Sequence, residues 1–143
     1  MRPIPFWYLH EPISSLSHLA AAVITLYLGW RLIHRTRDNG LKVGSAFLYV
    51  CSMLFLFSMS GIYHSMEPGA WREFFHRLDY MAIWLVMAGS ATPIHLLLLR
   101  GPWRWGLLAL FWGGALASLL ILDAYYQHMP YSAIVSLYMS VGS

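Results

Sequence analysis

Four apolar stretches, each long enough to cross a bilayer as a helix, constrain this chain more than any other feature. Roughly 20 apolar residues are needed to traverse the hydrocarbon core, and such lengths are readable at 13–34 ("ISSLSHLAAAVITLYLGWRLIH"), 43–64 ("VGSAFLYVCSMLFLFSMSGIYH"), 79–99 ("DYMAIWLVMAGSATPIHLLLL") and 103–122. Charged turns separate them: "RTRDNGLK" with its Asp-Asn-Gly break after the first, and "RGP" after the third. A fifth stretch, "PYSAIVSLYMSVGS", begins at Pro130 and reaches the chain end after 14 residues, too short to span the core as a helix.

Composition agrees with a membrane solvent. With 59% hydrophobic and 10% charged residues over 143 positions, the chain lies far from soluble usage, where about a quarter of residues are charged. The net charge of +3 does not argue for nucleic acid, because the basic residues sit in the turns between apolar runs, where loop charge sets orientation. Cys51, the single cysteine, lies inside an apolar run and excludes an intrachain disulfide and a cysteine-rich zinc site. The apolar N-terminal run is read as a retained helix rather than a cleaved signal, since Glu11, His10 and His18 interrupt its approach and no small-residue cleavage pattern follows. No 20- to 50-residue repeat and no flexible linker divides the chain, so 1–143 reads as a single all-α helical membrane domain.

The polar residues gather at one membrane face. Glu11 and His18 begin the first span, Ser60 and His64 end the second, and His76 and Asp79 begin the third; antiparallel neighbours bring these positions to the same side. Ser60 and His64 share a helix face at i, i+4, and His76 and Asp79 do so at i, i+3 if the third helix starts early enough. Imidazole and carboxylate are zinc ligands, a metal-bound water becomes a nucleophile near neutral pH, and a nearby carboxylate or hydroxyl can take a proton or steady an oxyanion. His64, Asp79 and Ser60 suit those roles but bring one imidazole where a catalytic zinc takes three protein ligands.

Plainer readings exist for each residue. His64 can be an interfacial histidine, Ser60 a helix-packing residue, and Asp79 an acid favoured at the start of a helix. Trp71, Trp84, Trp103, Trp105 and Trp112 read as interfacial anchors or packing, Pro93 as a kink, and Gly89 with Ser90 as a place of close helix approach. His34, His95 and His128 lie near span ends and read as interfacial.

Three of these segments resemble one family. "EPISSLSHLAAAV" resembles the Glu-Pro-x-Asn-x-x-Thr-His opening of the haemolysin III and progestin/adipoQ receptor proteins, with Glu11, Pro12 and His18 matching; "SGIYH" resembles their Ser-x-x-x-His at the end of span two; "HRLDYMAIWLVMAGSATP" resembles their Leu-Asp-Tyr segment with Gly-Ser and Pro. The resemblance implies a seven-helix membrane fold akin to the alkaline ceramidases. This chain would hold four complete transmembrane helices and part of a fifth. The resemblance further implies zinc held by His64 and by two histidines of a His-x-x-x-His in the last span, with Asp79 holding the zinc-bound water and Ser60 beside the metal. Ser60 and Asp79 are thus the catalytic candidates, His64 the metal ligand, and Glu11 and His18 further motif residues.

The departures are equally specific: Ser14 stands for the asparagine, Ser17 for the threonine, and His-x-x-x-His is absent from the chain. The expectation is a C-terminally truncated relative, located in the inner (plasma) membrane, with membrane lipids, a lipid-amide substrate and a second copy of itself as partners. Alternatives are a membrane-perturbing or pore-forming protein, as the family name implies, and a non-catalytic remnant. Sidedness has opposing indications. Six of the nine basic residues (Arg31, Arg35, Arg37, Lys42, Arg100, Arg104) lie at the face opposite Arg2, Arg72 and Arg77, which favours an external N-terminus, whereas the receptor branch implies a cytoplasmic one.

Overall fold

A computed structural model of the chain describes residues 11–125 as four helices, α1 (Pro12–Arg35), α2 (Gly40–Ser65), α3 (Ala70–Leu98) and α4 (Pro102–Tyr125), with no strand among the described residues. The fifth apolar stretch, with Arg2, His10 and His128, lies outside them. The helices run 24 to 29 residues, about 36 to 44 Å at 1.5 Å per residue, and all four are long and apolar enough to cross a membrane. Their connections are short, so successive helices are antiparallel, and α1 packs on α2, α2 on α3 and α3 on α4.

Local chemistry explains the boundaries. Pro12 and Pro102 stand at helix starts, where a missing N–H costs nothing. The Asn39 side chain accepts from the Leu41 N–H at 2.9 Å and caps α2. Gly101, with φ +67°, supplies the left-handed residue of the tight turn before α4.

The third helix begins at Ala70, nine residues ahead of the expected start at 79. Hydropathy located the edge of the hydrocarbon, whereas the helix starts at the last breaker, the Pro68-Gly69 pair. Between the two, Arg72, Glu73 and Arg77 propagate a helix well without being apolar. Asp79 therefore sits more than two turns inside α3. The reading of it as an acid favoured by the start of a helix does not hold, because the dipole's influence fades within the first turn.

Small residues set the packing. In hydrocarbon there is no hydrophobic force between helices, so association rests on close van der Waals contact. α1 buries Ser15, Ala22 and Gly29, spaced by seven so that one seam stays against α2. Gly89 of α3 lies so near Ser52 of α2 that an added Cβ would stand 2.8 Å from the serine Cβ. The larger apolar side chains of α1 and α4, such as Val23, Leu26, Leu110 and Leu120, are exposed, as suits helices solvated by lipid.

Trp84 packs with Ala88 and Ala115 in the core, and Trp112 donates to the Thr92 hydroxyl at 3.0 Å, so these two tryptophans serve packing while Trp71, Trp103 and Trp105 are exposed. His95, expected at the interface, is instead buried, its ring 5.1 Å from that of Phe111, because α4 covers this face of α3. The helix continues through Pro93 to Leu98.

Candidate functional site

Glu11 immediately precedes α1, the position from which a side chain ordinarily caps the helix, yet its carboxylate makes no capping bond. It reaches across to two other helices. Oε2 lies 2.7 Å from His64 Nδ1 at the end of α2, and Oε1 accepts from Arg72 Nη2 of α3 at 3.2 Å. The Glu11 backbone N–H also donates to the His64 carbonyl at 3.0 Å. One turn on, the wholly buried Ser15 hydroxyl donates to the Gly61 carbonyl at 3.0 Å. These bonds tie the start of α1 to the end of α2.

The pairing determines the histidine tautomer. A carboxylate only accepts, so His64 Nδ1 carries a proton and donates, and it is Nε2 that can offer a lone pair. The His18 ring of α1 stacks on that imidazole, with centroids 5.6 Å apart and planes within 6°. Behind His64, the adjacent Tyr63 ring stacks on His76 of α3 at 4.4 Å, and the Arg72 guanidinium lies over the same Tyr63 ring at 4.6 Å.

Asp79 joins this cluster from α3. Its carboxylate lies near enough to the Ser60 hydroxyl of α2, and to His64 and His18, to interact with all three. Ser60 is buried, and His64 keeps about a fifth of its side-chain surface exposed. Glu11, His18, Ser60, His64 and Asp79, all singled out from the sequence, are thus brought together from three helices.

Arg72, Tyr63 and Ser15 complete the arrangement and were missed individually. Arg72 was counted only as a loop charge, because the helix was expected to begin after it. Its position one turn before His76 on a helix entering the membrane would have been the signal. Next to His76 a cleft of about 100 Å³ opens between Tyr63, Arg72 and Glu73, well below the several hundred Å³ of a typical small-molecule site. Among the described residues, no three His, Cys, Asp or Glu side chains form a group able to hold a metal ion.

Residues 6–142 match the sequence model of a family described as haemolysin-III related. The chain belongs to the haemolysin III-related family. Together with its four apolar helices, this makes it a multi-pass integral membrane protein. The haemolysin III-related chain is 32% identical over 112 residues to Hemolysin-3 of Bacillus cereus, an alignment covering 77% of this chain and 51% of that protein. It therefore spans about half the length of this curated relative. No solved structure gives a significant match to it.

Proposed function

We propose that the three-helix cluster is the N-terminal part of a zinc-dependent hydrolase site acting on a lipid amide, with His64 as a metal ligand. The observation that carries this reading is the 2.7 Å contact between Glu11 Oε2 and His64 Nδ1, made between residues 53 positions apart. A carboxylate that takes the Nδ1 proton orients the ring and raises the basicity of Nε2, the usual outer-shell arrangement of a metal-binding histidine. An interfacial histidine satisfied by water has no need of such a partner.

The donors fit one part of a zinc site and not the whole. His64 offers Nε2, Asp79 offers carboxylate oxygens beside it, and the remaining imidazoles must come from outside the described residues. A bound zinc ion would supply Lewis acidity and make water nucleophilic near neutral pH. The protein groups have separate roles in this reading: Glu11 holds the His64 tautomer, Asp79 accepts a proton from water, and the Ser60 hydroxyl, one turn before His64 on α2, donates to a developing oxyanion. Arg72, bonded to the second oxygen of Glu11, holds that carboxylate in place.

Metal content tests the proposal. Purified chain 1–143 is expected to carry little zinc, and supplying a last span with His-x-x-x-His should restore stoichiometric zinc that disappears with His64→Ala. In that completed protein Glu11→Gln should weaken zinc binding by roughly 10- to 100-fold, the usual effect of losing such an outer partner. Zinc in the completed protein that is indifferent to His64→Ala would overturn the assignment. Stoichiometric zinc in the short chain that depends on His64 would keep His64 as a ligand and overturn the need for the last span.

A further inference from the structure

At the membrane face opposite the histidine cluster, the α1–α2 interface opens into a groove of about 620 Å³. Leu28 and Leu32 of α1 and Val50 and Met53 of α2 form apolar walls, and Arg31 and Arg35 stand at its rim. From Arg35, the last residue of α1, the lining extends ten residues down to Thr25, a depth of about 15 Å along the helix. The groove therefore starts at the headgroup level and continues into the acyl region.

Among the described residues, nothing neutralises the charges at the rim. Arg31 and Arg35 are one turn apart on one helix face, and among the described residues neither has a carboxylate partner. Asp38, the acid at this end, is held by Lys42 at 2.9 Å. Arg31 lies 5.8 Å from the Tyr27 ring, a contact that leaves its N–H donors available. Six of the nine basic residues of the chain are at this face, which favours its facing a leaflet with anionic lipids.

We infer that the α1–α2 groove seats an anionic phospholipid, its phosphate held between Arg31 and Arg35 and an acyl chain lying against Leu28, Leu32, Val50 and Met53. Charge and shape select this occupant together. Two guanidiniums one turn apart match the geometry of a phosphate, for which arginine's fork of donors is suited. Apolar walls leading from that point into the bilayer match a chain attached to it. A second copy of this protein would have to bring a carboxylate to the rim. The site stands apart from the proposed zinc chemistry and does not depend on it.

Lipid titration of the purified full chain in detergent, followed by native mass spectrometry, tests the inference. Palmitoyl-oleoyl phosphatidylglycerol should bind saturably with a stoichiometry of one, and the matching phosphatidylcholine should bind far more weakly. Arg31→Gln with Arg35→Gln should weaken phosphatidylglycerol binding roughly 20- to 30-fold, since each basic residue near a membrane surface contributes about fivefold. Lys42→Gln with Arg104→Gln removes the same charge from the same face outside the groove and should leave most of the binding. Leu28→Trp, at an exposed position lining the groove, should reduce binding with every charge in place. Equal losses in the two double-glutamine variants would show diffuse attraction and overturn the seat. Unchanged binding in Leu28→Trp, or no preference for phosphatidylglycerol over phosphatidylcholine, would overturn it as well. A groove occupied by a second copy would reveal itself as a dimer that Leu28→Trp dissociates, with lipid having no effect.

Discussion

The two ends of the helix bundle are held together in different ways. At the histidine end, besides local bonds from Ser17 to Ser14 and from Ser65 to Ile62, polar contacts join residues 46, 53 and 61 positions apart: Ser15 to Gly61, Glu11 to His64, and Glu11 to Arg72. At the opposite end they are local. Lys42 bonds to Asp38, Arg37 to His34, the Thr36 hydroxyl to the carbonyls of Leu32 and Ile33, and Asn39 caps its own helix. Local contacts make turns and helix ends but place no helix relative to another; the cross-helix contacts do. A constellation assembled from three helices is what chemistry requires, and a cap repeated within one turn is what a loop requires.

The largest effect expected from this contrast concerns two glycines of α2. A Cβ at Gly61 would stand 2.9 Å from Leu19 Cδ2, while nothing lies within 4 Å of one at Gly44. Gly61→Leu should push α1 from α2 at the histidine end and cost about 1–3 kcal/mol, the usual range for overpacking. Gly44→Leu should be neutral or stabilising by up to ~1 kcal/mol through helix propensity. Unfolding of both variants in mixed micelles compares them directly; equal losses would erase the distinction between the ends.

A smaller effect is expected from the acids. Glu11→Gln should cost about 1 kcal/mol, less than a fully buried charged bond because the Glu11 side chain is 42% exposed. A double-mutant cycle with His64→Ala should return a coupling of at least ~0.5 kcal/mol. A coupling near zero would mean that the 2.7 Å contact contributes nothing to holding α1 on α2. Asp38→Asn at the other end should cause only a slight loss at neutral pH, smaller than that of Glu11→Gln.

The smallest effect is one of pH. The hydrogen bond from Lys42 holds the Asp38 carboxyl below its ordinary range. Because the folded value is the lower one, the unfolded chain binds more protons between the two, so the stabilisation is present above the unfolded pKa and lost as pH falls through the folded one. Below about pH 4 the parent chain should thus show a slight loss of stability that Asp38→Asn lacks. A steeper loss in the variant would reverse the assignment.

Much of this was legible in the residues. Apolar run length located four spans to within a few residues at most of their ends, because the bilayer imposes a length that hydropathy reads directly. The start of α3 escaped, since Arg72, Glu73 and Arg77 are polar and helical at once. The expectation that Glu11, His18, Ser60, His64 and Asp79 share one membrane face followed from chain direction alone. Their mutual contacts did not follow: nothing in the spacing of Glu11 indicates that its carboxylate passes over its own helix N-terminus to reach His64 and Arg72.

The sequence by itself determined the solvent, the number of crossings within the described residues and the face on which the polar groups lie. Each of these depends on the periodicity and length of one segment in hydrocarbon. Tertiary structure decided which side chains on that face meet, because rotation and depth of each helix are set by packing against its neighbour through Ser15, Gly61, Gly89 and Ser52. A helix turns about 100° per residue, so a register error of one position would carry His64 away from Glu11. It is the close approach of small residues along the seams that removes that freedom.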